Sequence, residues 1–385
     1  MKKIVRVLCF ALSIVMALGC FAGCGSNETD SNTLLIGGTG PLTGATAIYG
    51  KAVENGIMLA VDEINAAGGV NGMKLEFSMQ DDENDVTKAQ NAYNKLKDDG
   101  MKAFIGTVTS KPCVAVAEIA ESDNMFLLTP SGSSVDCTKG DNAFRICFQD
   151  PDQGKASAEY IAANNIAKKV AVIYDSSDVY SSGIYQTFKA TAGEKGIEVV
   201  TEQAFTSSNN TDFSVAIQKI KESGAELVFL PIYYQQAALV ITQASKAKLD
   251  TKYFGCDGLD GIIKQLDKDA SLADGIMLLT PFSADSKDEL SQKFTKAFKE
   301  KYNETPNQFA ADGYDALYAL KAAIEEAGVK DATISYSDLC DALKGVMTKI
   351  TVKGVTGQMT WDENGNPTKD PRAMVIENSA YKAMD

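Results

Sequence analysis

The sequence predicts an α/β protein made of two similarly built lobes, each with a parallel sheet covered by helices. From Thr33 onward, short apolar segments alternate with amphipathic segments at helical spacing, and glycine or proline separates them. Such alternation is typical of a parallel sheet with helices on both faces. The pattern also repeats, since DVTKAQNAYNKLKDDGMKAFIG and DFSVAIQKIKESGAELVFLP both run from an acid through a helix and a glycine to an apolar strand.

The predicted elements of the first lobe follow in order. TLLIGG is a short strand, and the amphipathic helix after it ends at Gly68 and Gly69. MKLEFSMQ alternates as a strand, Asp85 begins the next helix and Gly100 ends it. MKAFIG and NMFLLTP are the third and fourth strands, separated by a helix with Pro112 near its start, where proline is tolerated.

The second lobe begins near Asp150. Its predicted strands are KKVAVIYD, IEVVTEQAF, AELVFLPI, KYFGCDG and GIMLLTPF, with helices between them. Three further helices are predicted around residues 287–303, 307–328 and 335–346. GVTGQMTWDENGNP reads as a hairpin or strand pair that carries the only tryptophan, Trp361.

The N-terminal residues predict export. MKKIVRVLCFALSIVMALGCFAGC has a basic start, an apolar run and small residues before a cysteine, so residues 1–23 are interpreted as a signal peptide. FAGC resembles a bacterial lipobox, which implies lipid on Cys24; ALGC at Cys20 is a weaker rival site. The polar residues 24–32 would then form a lipidated tether. We expect a protein lipid-anchored to the outer face of the bacterial cytoplasmic membrane, with no other membrane contact.

Composition excludes several classes of function. The formal charge is −14, and removing residues 1–23, with three basic side chains and no acid, makes it −17, which disfavours nucleic acid as a partner. Histidine is absent, so Ser-His-Asp and Cys-His catalysis are excluded. No P-loop occurs, and IGGTGPLTG fits a dinucleotide fingerprint poorly because its third glycine falls one place late, at Gly44. The sequence predicts no enzyme and no cofactor.

Cysteine usage is less decisive. After Cys24 an odd number remains, so at least one is unpaired within the chain. No C-x-x-C spacing occurs, and we expect no metal site. A Cys137–Cys147 bridge stays open, and the remaining thiols are expected to be buried and inert.

Hydroxyl-rich residues follow two neighbouring strands of the first lobe. Ser110 follows MKAFIG, and Ser131, Gly132 and Ser133 follow MFLLTP. Ligands of open α/β sheets bind beyond the carboxyl ends of the strands, and helix N-termini favour anions. Each segment alone could be a helix N-cap. Together, at adjacent strand ends, they predict a clamp for a carboxylate.

The second lobe offers the opposite charge. Asp257 lies just past a strand end, where a carboxylate suits an ammonium, although an Asp-Gly turn is the simpler interpretation. Tyr49, Tyr180, Tyr233 and Tyr314 fall near strand ends and could form aromatic walls, or ordinary packing. An anion clamp, a cation acceptor and aromatic walls predict an amino acid bound between two lobes.

Longer motifs carry a family resemblance. GGTGPLTGATAIYG, AVDEINAAGGVNGMKLEF, DGMKAFIG, LLTPSGSS and MTWDENGNP resemble the periplasmic leucine/isoleucine/valine-binding proteins of ABC importers, from about Thr33 to Pro367. The resemblance implies a type I periplasmic-binding fold, with two Rossmann-like lobes joined by three crossing segments. We accordingly expect the first lobe in residues 33–149 and 283–353 and the second in residues 150–282 and 354–385.

The resemblance also implies roles for single residues. Ser110 and Ser133 would contact the ligand carboxylate, and Ser131 would offer its carbonyl to the ammonium. Asp257 stands where the best-known members carry glutamate, and Gly132 is part of a turn more polar than theirs. Tyr49, Tyr180, Tyr233 and Tyr314 match pocket-wall positions.

The function implied is that of an extracytoplasmic solute-binding component of an ABC importer. It would capture a branched-chain or other aliphatic amino acid between closing lobes and, as a monomer, deliver it to permease subunits powered by a separate ATPase. The alternative is a ligand-sensing receptor of the same fold that binds another amino acid or a small amide.

Overall fold

The computed structural model describes residues 32–369 and 371–384. The predicted signal peptide, the lipidation site Cys24 and tether residues 24–31 lie outside the described residues. The described part folds into two lobes, each built around one large sheet.

The sheet of the first lobe contains five strands, all paired in parallel, in the order β2-β1-β3-β4-β5. Its strands are β1 (Thr33–Gly40), β2 (Lys74–Asp81), β3 (Ala103–Ile105), β4 (Leu127–Thr129) and β5 (Ala143–Arg145). The helices between them are α1 (Ala47–Ala66), α2 (Val86–Asp98) and α3 (Ser110–Asp123), and a 3-10 turn spans Val135–Thr138.

The sheet of the second lobe contains seven strands in the order β14-β13-β10-β9-β8-β6-β7. Five are parallel, and β13 and β14 add an antiparallel edge. The strands are β6 (Lys169–Asp175), β7 (Glu198–Phe205), β8 (Leu227–Leu230), β9 (Lys252–Gly255), β10 (Met277–Thr280), β13 (Arg372–Glu377) and β14 (Ala380–Ala383). The helices are α4 (Asp150–Ala163), α5 (Val179–Glu194), α6 (Ser214–Ser223), α7 (Tyr234–Lys246) and α8 (Ile262–Leu266), with 3-10 turns at Asp257–Leu259 and Asp267–Ala273.

After β10 the chain returns to the first lobe as three helices and a short hairpin. The helices are α9 (Glu289–Tyr302), α10 (Gln308–Glu326) and α11 (Tyr336–Met347), and the hairpin is β11 (Val352–Gly354) and β12 (Gly357–Met359). These helices lie close to the predicted ranges because their start signals are local: Asp288 accepts from Ser291 N at 3.0 Å, and Ser335 accepts from Asp338 N at 3.0 Å.

Glycine allows α1 and α10 to lie against each other. A Cβ on Gly56 would stand 2.0 Å from the Ala310 carbonyl oxygen, and one on Gly313 would stand 2.5 Å from that of Val53. Neither helix could approach so closely with a side chain at these positions. This contact holds the start of α10 beside the cleft.

The third crossing between the lobes falls later in the chain than residue 354, where it was predicted. The Asp315 carboxylate accepts from Val355 N at 2.8 Å and Thr356 N at 2.9 Å, so the hairpin is anchored on α10 of the first lobe. The Trp361 indole N–H donates to the Arg145 carbonyl at 2.8 Å, which extends that contact. The chain enters the second lobe only as it approaches β13.

Other sequence expectations concern cysteines, membranes and metals. The five described cysteines are buried free thiols, so Cys137 and Cys147 are not bridged. Within residues 32–369 and 371–384, no helix is both long and apolar enough to cross a membrane. The same residues contain no group of three or more acidic or cysteine side chains arranged to hold a metal ion.

Candidate ligand-binding site between the lobes

The lobes are in contact across a cleft at the carboxyl ends of their strands. The Tyr49 hydroxyl, on α1, donates to the Gly258 carbonyl at 2.5 Å and accepts from Tyr234 N at 3.1 Å. The neighbouring residue Ile48 donates its N–H to the Tyr234 hydroxyl at 3.1 Å. These bonds join the first turn of α1 to the second lobe and close the cleft.

The two hydroxyl-rich segments meet as the sequence predicts. Ser133 N and Ser134 N donate to Ser110 Oγ at 3.1 and 3.2 Å, and the Ser110 and Ser133 hydroxyls lie 3.3 Å apart. Ser110 and Ser133 are both 1% exposed. Hydroxyls and backbone N–H groups therefore converge at the start of α3, where the helix dipole also favours an anion.

Arg145 lies behind this turn and is fully buried. Its guanidinium donates to the carbonyls of Gly132 at 3.2 Å, Ser133 at 2.6 Å and Ser134 at 3.0 Å, and to Thr138 Oγ1 at 2.8 Å. The C=O and N–H of a trans peptide point in opposite directions. Because these carbonyls face Arg145, the N–H groups of Ser133 and Ser134 face Ser110. Arg145 thus orients the donors of the predicted clamp.

Gly132 is needed for the tight packing of the turn. Its N–H donates to Thr129 Oγ1 at 2.7 Å, and a Cβ there would stand 2.7 Å from that oxygen and 2.8 Å from Cys113 Sγ. Ser131 is 5% exposed, and its hydroxyl donates to the Val108 carbonyl at 2.6 Å. The serine side chain thus serves the turn itself.

Asp257 lies across the cleft, 5% exposed. Its carboxylate accepts from the Tyr180 hydroxyl at 2.7 Å, and its backbone N–H donates to Gln153 Oε1 at 3.2 Å. The Tyr180 hydroxyl also accepts from Gly258 N at 2.9 Å. Burial raises the pKa of Asp257 to about 6, so the group is ionised at neutral pH. An ionised buried carboxylate suits a bound cation.

Aromatic rings form the walls. Tyr180 and Tyr233 are stacked with centroids 4.8 Å apart, and Tyr49 lies 5.7 Å from Tyr233 and 4.2 Å from Phe309. Val108 completes the apolar lining. These rings could enclose an aliphatic side chain.

Tyr314 does not reach the cleft, contrary to the prediction. It lies on α10 with its hydroxyl donating to Glu63 Oε2 at 2.6 Å and its ring 4.8 Å from that of Phe294. Phe309, near the start of the same helix, lines the cleft instead. Because α10 is helical from Gln308, Phe309 and Tyr314 point in different directions, and only the first faces the second lobe.

Sequence reasoning also missed Arg145 and Asp150. Asp150 begins α4, is 2% exposed and donates its N–H to the Ser133 carbonyl at 2.9 Å. Burial raises its pKa well above the usual range, and the neighbouring charge of Asp257 acts in the same direction. No local sequence signal distinguishes Asp150 from an ordinary residue at a helix start. Arg145, by contrast, is a lone arginine on an apolar strand, and that pattern is a signal for a buried structural cation.

The space left in the cleft is small. Among its lining residues the cavity measures about 10 Å³, roughly enough for one water molecule. An aliphatic amino acid therefore needs a wider angle between the lobes or displaced tyrosine rings.

The fold and this cleft define a class of protein: a two-lobed binding protein that encloses a small ligand between its lobes. The chain belongs to the periplasmic binding protein family, whose model matches residues 33–380. The resemblance read from the sequence and the predicted type I fold are both confirmed.

Relatives of known sequence and structure cover most of the chain. The leucine-, isoleucine-, valine-, threonine- and alanine-binding protein of Pseudomonas aeruginosa is 30% identical over 92% of this chain and 92% of its own length. The branched-chain amino acid transporter substrate binding protein LivJ of Streptococcus pneumoniae, solved with isoleucine, is 30% identical, with a TM-score of 0.83 over 91% of this chain and 98% of its own. The leucine binding protein LivK of Thermotoga maritima is 28% identical, with a TM-score of 0.83 and the same coverage.

Proposed function

We propose that this protein captures a branched-chain or other aliphatic amino acid between its lobes and delivers it to an ABC importer. The observation that carries the proposal is the pairing, across one cleft, of a donor-rich turn with a buried carboxylate. Such a pair matches the carboxylate and ammonium of a zwitterion.

Each end of the ligand has its own partners. Its carboxylate would accept from Ser110 and Ser133 and from the N–H groups that Arg145 orients. Its ammonium would donate to the ionised carboxylate of Asp257 and to the Ser131 carbonyl. The side chain would lie among the rings of Tyr49, Tyr180, Tyr233 and Phe309.

The ligand class is supported by the relatives. The Pseudomonas and Streptococcus proteins are named for aliphatic amino acids, and the latter was solved with isoleucine. Tyrosine rings and Val108 supply the apolar surface that such a side chain needs. The best-known members of the family carry glutamate at the position of Asp257. The side chain that would bind the ligand ammonium is therefore one methylene shorter in this protein.

Export and docking complete the proposal. Residues 1–23 would direct secretion and Cys24 would carry lipid, which keeps the protein at the outer face of the cytoplasmic membrane. The closed monomer would dock on permease subunits served by a separate ATPase. The chain itself would catalyse no reaction, since it has no histidine to serve as the base of a Ser-His-Asp or Cys-His site.

Calorimetric titration tests the ligand class. The purified protein, freed of carried-over ligand, is titrated with leucine, isoleucine, valine, alanine, phenylalanine and leucinamide. We expect micromolar or tighter binding of at least one aliphatic amino acid and no binding of leucinamide. Binding of leucinamide without leucine would instead favour an amide sensor, and silence from the whole panel would contradict the proposed ligand class.

A further inference from the structure

A second and larger cavity lies between the lobes, separate from the cleft. Its volume is about 590 Å³, within the usual range for small-molecule sites. Residues 47–55 of α1 and residues 304–308 bound it in the first lobe, and residues 260–264 and 379–382 bound it in the second. Residues 280–285, which cross between the lobes, form another side.

The cavity and the cleft share a wall. Ile48 and Gln308 line the cavity, whereas the next residues in the chain, Tyr49 and Phe309, line the cleft. A molecule in either space therefore contacts the same two helix starts. Movement of these helix starts would therefore change the shape of both the cavity and the cleft.

The interior of the cavity is mostly apolar. Side chains from both lobes and from the crossing segment contribute to it: Ile48, Ala52, Ile263, Leu278, Phe282 and Phe298. Such a lining favours a ligand with a hydrocarbon body.

Two buried oxygen atoms in the lining residues have no donor from the described residues in hydrogen-bonding geometry, although the Tyr381 hydroxyl lies beside the Asp260 carboxylate and partly offsets the rise that burial causes in its pKa. The two atoms are Asp260 Oδ1 and Gln308 Oε1, on residues that are 5% and 2% exposed. The other carboxylate oxygen of Asp260 accepts from Gln308 N at 2.9 Å, which ties the two residues together across the lobes. Both unpaired atoms are acceptors, and buried acceptors normally have a donor.

Charged side chains at the entrance of the cavity differ from Asp260, which lies in its interior. Lys264 pairs with Glu304 at 2.9 Å, and Lys382 lies 3.9 Å from Asp285. Lys51 and Lys299 also line the cavity, on exposed helix positions, and neither makes an ion pair with the residues that the structure describes. Asp260 makes no ion pair among the described residues. A ligand cation would therefore find its carboxylate partner inside the cavity.

We propose that this cavity binds a small primary amine with an apolar body. Its ammonium donates to Asp260 Oδ1 and Gln308 Oε1, and its hydrocarbon chain packs on the apolar lining. Because the partners come from both lobes, the amine makes all its contacts only in the closed protein. It therefore favours closure and, by linkage, strengthens amino-acid binding in the cleft, a consequence that rests on the proposed function.

Hexylamine is the probe, with hexan-1-ol and hexanoate as probes of equal chain length and different head group. Titrations at about pH 8, where a primary amine is still protonated, are made with and without saturating isoleucine. We expect hexylamine to bind at least tenfold more tightly than either control, and more tightly when isoleucine is present. Equal or tighter binding of hexanoate, or no binding of hexylamine, overturns the proposal. Competition between hexylamine and isoleucine also overturns it, because the amine would then occupy the cleft.

A cavity-filling variant locates the site. Ala52→Phe places a ring in the cavity and is expected to weaken hexylamine binding at least tenfold while leaving isoleucine affinity unchanged. Ala190→Phe, on the exposed face of α5, is the matched control and should change neither. Unchanged hexylamine binding in Ala52→Phe overturns the assignment. If isoleucine itself does not bind the native protein, the proposed function fails, but hexylamine binding and its loss in Ala52→Phe still test the amine site.

Discussion

At the scale of single residues, recognition depends on where a few buried polar groups point. Ser110 and Ser133 use bonds within the turn, and the same hydroxyl and N–H groups are those a ligand carboxylate would engage. Asp257, on the other side of the cleft, is held by Tyr180 of its own lobe. Changes of one functional group at these positions should therefore alter affinity more than stability.

Removing one clamp hydroxyl tests the carboxylate end. Ser133→Ala should weaken isoleucine binding by about 1–3 kcal/mol, the usual cost of leaving a charged partner without its hydrogen bond. Titration calorimetry measures the change. Ser122→Ala, an exposed serine that bonds only to the Glu118 carbonyl, is the control. Equal affinity in Ser133→Ala and the native protein would contradict the clamp assignment.

Arg145 should affect the preference of the protein for an amino acid with a free carboxylate over the corresponding amide. Arg145→Lys keeps the positive charge but cannot donate to three carbonyls in the native geometry. The N–H groups of the clamp would then be less well directed, and the preference for isoleucine over isoleucinamide should narrow by roughly tenfold or more. Competition titrations give this ratio. An equal loss of affinity for both ligands would indicate a general effect on folding and count against the positioning role.

Isoleucine affinity should depend on pH through Asp257. Its pKa is raised to about 6 by burial, and an ammonium ligand requires the ionised form. Affinity should be constant from neutral pH up to the alkaline range in which the ligand ammonium itself deprotonates. It should fall as pH decreases through 6, by roughly tenfold per unit once the proton must be displaced. Asp178, whose pKa is also about 6, titrates in the same range, so Asp257→Asn is the discriminating variant. It should bind weakly with a flat profile, and an unchanged profile would assign the effect to another group.

At the scale of elements, the cleft depends on how α10 is seated on α1. The start of α10 supplies Phe309 to the cleft and Gln308 to the larger cavity. Gly56 and Gly313 set the separation of the two helices. The position of a ligand wall is thus decided by contacts farther along the same helices.

Gly56→Ala should therefore reduce both stability and isoleucine affinity. The added methyl would stand 2.0 Å from the Ala310 carbonyl oxygen, so the helices must separate. We expect the free energy of unfolding to fall by about 1–3 kcal/mol, as for overpacked cores. Gly193→Ala, on α5 with no atom within 4 Å of the new methyl, should instead stabilise by about 0.5–1 kcal/mol. Urea denaturation compares the two, and equal effects would argue against close packing as the cause.

At the scale of the whole molecule, closure joins two lobes that fold around separate sheets. The bonds of Tyr49 to Gly258 and Tyr234 exist only when the lobes are together. A cleft of about 10 Å³ also requires opening before an amino acid can enter. Affinity must therefore include the free energy of closing the lobes.

Tyr49→Phe tests this contribution. The ring stays, but Tyr234 N loses its acceptor in the closed form, at a cost of about 1–3 kcal/mol for a buried N–H. Isoleucine should bind more weakly by this amount, mainly through faster dissociation, which stopped-flow kinetics can resolve. Tyr160→Phe, on α4 away from the cleft, should behave as the native protein. Slower association with unchanged dissociation would contradict a role in holding the closed state.

Much of the architecture could be predicted because its signals are local. Periodicity, glycine stops and caps such as Ser335 located most helices and strands. The hydroxyls at two strand ends were also expected to meet, and Ser110 does contact the Ser133 turn. The misplaced third crossing had a different origin. The hairpin's attachment depends on Asp315, about 40 residues earlier in the chain, and no local pattern reveals that partner.

The sequence by itself determined the fold class, the family and the two polar ends of the cleft, since strand ends in a parallel sheet converge on one edge. Only the tertiary structure decided that Phe309 rather than Tyr314 lines the cleft, that Arg145 bonds the carbonyls of the Ser133 turn, and that a second cavity adjoins the cleft. These features depend on the rotation of one helix about its axis, on burial of a lone cation beneath a turn, and on the angle between lobes. Each is set by contacts between residues far apart in the chain.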